Sequence, residues 1–428
     1  MQAILILIVF LVSVVLMYTK KLNAMLALPI LALLIGVIAG IPWGNTVSGD
    51  TTLPGLQTLL FTNGPVRLAS TIATFIFGAI LSKFVQNSGV AQATIRKVSE
   101  LAGDRPLILG IAFYLVMSVF YTTLGGLGTV IMLGSIAIPI MISVGIPPVM
   151  AGSIMLFAVS TGGCFNPTNW SLYMDTFGLT TDEIRSYAFY VGAFTLIAGL
   201  VMIFVNLRGT KKAAATWPTP EVADEPERKV GWYAMLTPLV PLLLVMVFKF
   251  DINAALTIGI LYCFITTFDK DSLKRLTRSI TEGIADNAGA IFLVVGIGML
   301  LVVVMDSRVT AIIGPALSAV VPKSPIGYVI FFTLLSPLAL YRGPLNVWGL
   351  GLGIGGVMFA TTGLSAMALT AALMSTGQVQ GICDPTNTHN VWTAQETGVD
   401  VNDLLKKMLP YVVAVVLASL VVAAFLYF

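Results

Sequence analysis

Charged side chains are scarce in this sequence. Of 428 residues, 10% are Asp, Glu, Lys or Arg, against about 25% in soluble domains, which excludes a water-soluble globular fold. The net charge of +3 is too small to point to nucleic acid. Cysteines number three and histidines one. Cys164, Cys263 and Cys383 are odd in number, lie in or beside apolar stretches and form neither a disulfide framework nor a zinc spacing. Enzyme motifs are missing too: no Walker loop, no HExxH, no GxSxG. The glycines of GLGIGG (351–356) have no βαβ context and suit close helix packing instead.

Apolar residues fill the space that charge leaves. Hydrophobic residues make up 57% of the chain and mean hydropathy is +0.95. Apolar runs recur from end to end, the mark of an all-α polytopic membrane protein. The opening MQAILILIVFLVSVVLMYTKK has no positive n-region and no cleavage site, so it reads as a first span. Spans are expected at 3–19, 22–42, 66–87 and 183–207. SGVAQATIRKVSELAGDRP (88–106) is amphipathic and suits an interfacial helix. The apolar stretch 107–142 breaks at TTLGG and reads as a re-entrant hairpin or as two spans. A helix over 148–160, the stretch TGGCFNPTN and then WSLYMDTF together make one discontinuous span.

The stretch 208–230, with three prolines and mixed charge, is a solvated cytoplasmic linker. It separates a first repeat, 1–207, from a second, 231–428. TNGPVRLASTIATFIFGAIL (62–81) returns as TEGIADNAGAIFLVVGIGML (281–300). YTTLGG (121–126) returns as YRGPLN (341–346), and STGG…NPTN returns as STGQ…DPTN. Such weak symmetry in one order marks transporter repeats. Five spans and a hairpin per repeat give ten spans, two re-entrant hairpins and two broken helices. Five is odd, so the second repeat enters the membrane inverted. Most of the 23 Lys and Arg then fall on one side. This positive-inside bias puts both termini outside, on the periplasmic or extracellular face of the inner (plasma) membrane.

Lipid cannot satisfy free backbone N–H and C=O groups, so an interrupted helix at membrane depth must line a protein-walled or watery cavity. Half-helix N-termini attract anions and half-helix C-termini attract cations. The two polar stretches and the hairpin tips are therefore expected to build one midplane site. Its substrate-holding candidates are Gly125 and Gly126 at the first tip, with Asn166 and Thr168 beside Pro167. The second repeat adds Arg342, Gly343 and Asn346 at its tip, with Thr386 and Asn387 beside Pro385. Ser160, Thr161, Asn169, Ser375 and Thr376 are cation-coupling candidates, with Asp384 and His389 able to carry Na⁺ or a proton. Bland readings stand beside these. Arg342 can snorkel, Asp384 can cap a helix, and His389 can be hydrogen-bonded structure. Glu282, Asp286 and Arg67 suit solvated or capping roles, and Cys164 and Cys383 suit packing.

At these residues the chain resembles the ion transporter superfamily, above all its citrate–metal and gluconate permease branches. MYTKKLNAMLALPILALLIGVIAG resembles their start, SGVAQATIRKVSELAGDRPL the segment after their third span, and TNTHNVWTAQETGVDVNDLLKKMLPYVVAVVLASLVV their ending. The resemblance implies a homodimer with a scaffold and a sliding, elevator-type transport domain. It implies symport of a small organic anion, a carboxylate such as citrate, gluconate or a dicarboxylate, with Na⁺ or H⁺. No cofactor is expected, and Na⁺ is the one candidate bound ion. Cation antiport is the alternative within the superfamily. A passive channel fits two inverted broken helices poorly.

Overall fold

The apolar runs fold as helices. The computed structural model describes residues 1–19, 21–48, 51–210 and 230–428, so the linker lies outside the described residues from 211 to 229. The chain opens with α1 (Gln2–Tyr18) and α2 (Ala24–Ile38). The Asn23 side chain caps α2 by accepting from the Met25 N–H, as an N-cap asparagine should. A small antiparallel hairpin, β1 (Thr46–Ser48) and β2 (Thr51–Leu53), follows. Next come α3 (Leu56–Thr58), a π-helical turn (Leu59–Asn63), α4 (Gly64–Val66) and α5 (Ala69–Asn87).

Together Leu56–Asn87 form one 32-residue apolar stretch, ten residues longer at its start than the expected span at 66–87. Pro65 lies within this continuous run, just after the π-helical turn Leu59–Asn63, a local departure from α geometry of the kind that accompanies a proline inside a helix. The amphipathic α6 is Val90–Ala102. The first hairpin is α7 (Pro106–Tyr121) and α8 (Gly126–Ser143), and the first interrupted helix is α9 (Pro148–Cys164) and α10 (Pro167–Phe177), bent by 51°. Helix α11 (Thr181–Leu207) starts at a capping box of Thr180 and Glu183.

Beyond the linker lie α12 (Leu239–Met246), α13 (Ile252–Thr266) and the 33-residue α14 (Ser272–Val304). A short α15 (Ser307–Val320) leads to the second hairpin, α16 (Pro325–Leu335), continued by 3-10 turns that break at Leu340 and Tyr341, and α17 (Gly351–Thr361). The second interrupted helix is α18 (Ala366–Cys383) and α19 (Thr388–Thr397), followed by α20 (Val401–Tyr427). The order long helix, short helix, hairpin, interrupted helix, long helix thus occurs on both sides of the linker.

Among the described residues six helices are long and apolar enough to cross a membrane, or seven with the bent pair, and two of the six, Gly126–Ser143 and Pro325–Arg342, are hairpin legs. Length alone therefore counts fewer than the ten spans expected. The reason is local: α1, α2 and α13 have 17, 15 and 15 residues. The apolar run after 231 holds Pro238 and Pro241, and folds as a 3-10 turn and an 8-residue helix.

Two groups of helices pack separately. Helices α2, α5, α13 and α14 form one bundle, and α7, α9, α11, α18 and α20 form the other. Between lipid-soluble surfaces the drive to associate is close packing and internal hydrogen bonding, because lipid tails are as apolar as leucine. Buried tyrosines supply the second. The Tyr114 hydroxyl lies 2.7 Å from Thr161 Oγ1, and the Tyr187 hydroxyl lies 2.7 Å from Ser375 Oγ and donates to the Ser419 carbonyl at 2.8 Å.

Candidate functional site between the interrupted helices

A cavity of about 470 Å³ lies where the two bundles meet. Both hairpin tips and both interrupted helices reach it, and α2, α5 and α14 supply the facing wall. The interruptions are shorter than the sequence suggested. Helix α9 continues to Cys164 and α18 to Cys383, so both Ser-Thr-Gly stretches are helical. Their hydroxyls are satisfied within or between helices. Ser375 Oγ donates to the Ala371 carbonyl and Thr376 Oγ1 to the Ala372 carbonyl, while Thr161 pairs with Tyr114. The backbone leaves the helix only at Phe165–Asn166 and at Asp384–Asn387. Pro167 and Pro385 fix those points, since a proline after the break donates no N–H.

Each break is tied to the hairpin tip of its own half. Asn166 caps α10, its Oδ1 accepting from the Thr168 N–H at 2.9 Å. Its Nδ2 donates to the carbonyls of Tyr121 at 2.9 Å and Leu124 at 3.1 Å, so it closes the C-terminal end of α7. At the second break Asp384 is fully buried. Its Oδ1 accepts from the N–H groups of Tyr341 and Thr386, both at 2.9 Å, and from Thr386 Oγ1 at 2.7 Å. Its Oδ2 accepts from Asn346 Nδ2 at 3.0 Å. The Tyr341 N–H it holds begins a left-handed turn. Tyr341 has φ 56° and Arg342 φ 59°, a conformation that costs L-residues about 1–2 kcal/mol each. Gln380 Oε1 steadies the same tip by accepting from the Val347 N–H at 2.7 Å.

The turn delivers Arg342 to the cavity wall, half-buried, with Nη1 donating to the Trp348 carbonyl at 3.3 Å. Among the described residues no carboxylate lies within 4.0 Å of this guanidinium. A guanidinium offers five N–H donors, and most of these are left to whatever enters. The wall's other charged groups are differently placed. Asp384 already has its donors. Asp286 pairs with Lys83 at 2.9 Å, and Lys83 is 3.9 Å from Glu282. His389, half-buried in the first turn of α19, shares the wall with Arg342.

Of the residues expected at the site, Gly125, Gly126, Ser160, Asn166, Thr168 and Asn169 line the cavity from the first half. Arg342, Asp384, Asn387 and His389 line it from the second. Thr161 and Ser375 do not, because they are buried against Tyr114 and Tyr187 of other helices, and Thr376 is buried with its hydroxyl on the Ala372 carbonyl of its own helix. Asn346, Thr386 and Gly343 lie behind the wall. The first two bind Asp384, and Gly343 is pressed against the Leu338 carbonyl. Cys164 reaches the wall, with Sγ on the Ser160 carbonyl, while Cys383 is buried. Sequence reasoning missed Gln378, Gln380 and Asn287. Gln378 Oε1 accepts from Ser160 Oγ at 2.8 Å and bridges the two interrupted helices. Two glutamines in an otherwise apolar helix were a signal that could have found them.

A further contact ties α10 to α5. Asp175 of α10 accepts from both N–H and Oγ1 of Thr71 at 2.8 Å. It thereby caps α5, whose own N-cap residue, Leu68, offers no side-chain bond. Arg67 adds a bond to the Thr176 carbonyl. Loss of an N-cap costs about 1 kcal/mol. Asp175→Ala is therefore expected to lower the melting temperature by a few degrees, and Asp175→Asn, which keeps an acceptor, by less. No loss in either, read by thermal unfolding in detergent, would show that the cap contributes nothing.

The sequence matches no protein-family model and no curated protein. Its fold does match solved structures. The YdaH transporter of Alcanivorax borkumensis aligns with TM-score 0.59 and 14% identity, over 94% of this chain and 97% of that one. MtrF of Neisseria gonorrhoeae, described as illuminating a class of antimetabolite efflux pumps, aligns with TM-score 0.62 and 13% identity, over 94% of each chain. At such identities the likeness establishes a helical polytopic fold of the kind these transporters have.

Proposed function

We propose that this chain is a secondary active transporter of a small organic anion, a carboxylate such as citrate, gluconate or a dicarboxylate, coupled to Na⁺ or H⁺. One observation carries the reading: the Arg342 guanidinium, without an ion-pair partner among the described residues, on the wall of a cavity walled by both interrupted helices and both hairpin tips. A guanidinium binds carboxylate through two parallel charge-assisted bonds. The likeness to two transporters supports movement of the bound anion rather than its conversion. In this reading the repeats are inverted, and the bundle of hairpins and interrupted helices slides past the α2–α5–α13–α14 scaffold. That motion exposes the site to each side in turn. The protein works as a homodimer in the inner membrane with both termini outside. Export of the anion is equally served by the same cavity.

The reading is tested by thermal shift on purified protein with citrate, gluconate, C4-dicarboxylates, lactate and amino acids, each in Na⁺ and in K⁺ at two pH values. A ligand at 100 times its Kd stabilises the folded state by about 2.7 kcal/mol, so one carboxylate is expected to raise the melting temperature. Silence from every carboxylate, with a response to Na⁺ or pH alone, would replace this reading with cation exchange centred on Asp384 and His389.

A further inference from the structure

We infer that Asp384 is a positioning residue: its buried carboxylate holds the strained tip of the second hairpin and so aims Arg342 into the cavity, and it does not ligate the coupling cation. The inference rests on the anion-carrier reading only for the task of Arg342. The anchoring itself stands on contacts within the protein.

Every partner of Asp384 is a donor. Oδ1 takes the N–H of Tyr341, the N–H of Thr386 and the Thr386 hydroxyl, and Oδ2 takes the Asn346 amide. Four donors on two oxygens is the arrangement an ionised carboxylate accepts. Oδ1, which takes three of the four, has no lone pair left for a metal ion, and Oδ2 keeps one. The donors come from both sides of the fold's most strained described turn. Tyr341 and Arg342 are consecutive non-glycine residues at positive φ, and such strain persists only where surrounding contacts over-determine it. Asp384 grips that turn at its first N–H and, through Asn346, at the carbonyl of Ala339 just before it.

The first half of the chain supplies an internal control. Asn166 occupies the place of Asp384, one residue before the proline, and performs the reverse task. The first tip presents carbonyls, of Tyr121 and Leu124, and an amide donates to them. The second tip presents an N–H and an amide, and a carboxylate accepts from them. What each tip presents thus explains amide in one half and acid in the other, without an ion.

The test is a double-mutant cycle on full-length protein. In D384N the acceptor for Asn346 is replaced by a second donor. In N346D two carboxylates face one another. D384N/N346D exchanges donor and acceptor across the pair. Each single change is expected to weaken binding of the stabilising carboxylate by about tenfold or more. The double variant is expected to lose at least about tenfold less than the two losses combined. The ratio of affinities in Na⁺ and K⁺, and the pH dependence, are expected to be the same in D384N as in the parent. Additive losses, or a D384N protein that melts like the parent but has lost its Na⁺ or pH response, would make Asp384 the coupling residue and overturn the inference. If D384N does not fold, Thr386→Val removes one donor and keeps the charge. It is expected to weaken carboxylate binding about threefold with the cation response intact, and loss of that response overturns the inference equally. Should the parent bind no carboxylate, the site reading fails by itself. The same cycle read on the melting temperature of the ligand-free protein still decides the anchor.

Discussion

Arg342→Ala is expected to abolish the carboxylate-induced rise in melting temperature while the ligand-free protein melts within a few degrees of the parent. The guanidinium's one recorded bond is to the Trp348 carbonyl, so its removal leaves no buried carboxylate stranded. Its loss does remove a charge-assisted pair from a partly desolvated site, where truncating one partner costs about 2–5 kcal/mol. That corresponds to a fall in affinity of about 30-fold or more. Arg342→Lys should recover little, because an ammonium lacks the planar fork that grips a carboxylate through two bonds. Titration by calorimetry reads both variants. An unchanged affinity in Arg342→Ala would move the anion elsewhere on the wall, towards the first turns of α10 and α19.

The second large effect is expected at Gly162, in the last turn of α9. A Cβ there would lie 2.2 Å from the Ser118 carbonyl oxygen and 2.5 Å from Tyr121 Cβ. The obstacle is α7 backbone, which cannot swing aside as a side chain can. Even Gly162→Ala forces α7 and α9 apart, and overpacking of this kind costs about 1–3 kcal/mol. Gly162→Leu is expected to yield no monodisperse folded protein, judged by size-exclusion chromatography in detergent. Gly377, the glycine of the second Ser-Thr-Gly, has nothing within 4 Å of its Cβ position and borders the cavity. Gly377→Ala is expected to fold like the parent. A folded, stable Gly162→Leu would show that the two helices are less closely set than described.

The contrast between these glycines shows what could be read from the letters. Helices followed from apolar runs, and the breaks followed from Pro167 and Pro385, because a missing N–H is a local fact. The hairpin tips followed from TTLGG and RGP, where glycine admits backbone that a helix cannot continue through, as at Gly126 with φ 80°. The role of Ser-Thr-Gly did not follow. The motif stands six residues before Asn166 but nine before Asp384, so its second copy lies deeper in its helix. Whether its hydroxyls meet water or a tyrosine depends on Tyr114 and Tyr187, which come from other helices. In the same way Asp384 was legible as a buried acid, but its four donors were not. Two of them, from Tyr341 and Asn346, arrive from about forty positions away in sequence.

Helix α14 carries a consequence of its length. Thirty-three residues make a rod of about 50 Å, against a hydrocarbon layer of about 30 Å. Helices tilt by at most about 40°, and at that tilt the rod still rises about 38 Å. The surplus must leave the hydrocarbon at the end bearing Lys274 and Arg278, since the other end, through Val304, is apolar and largely buried. Lipids with longer acyl chains would swallow another turn of this end and carry headgroups away from the Lys83–Asp286 pair. Shorter chains would bring them towards it. Bilayer thickness thereby sets how deep in the membrane the Asp286 edge of the cavity wall lies.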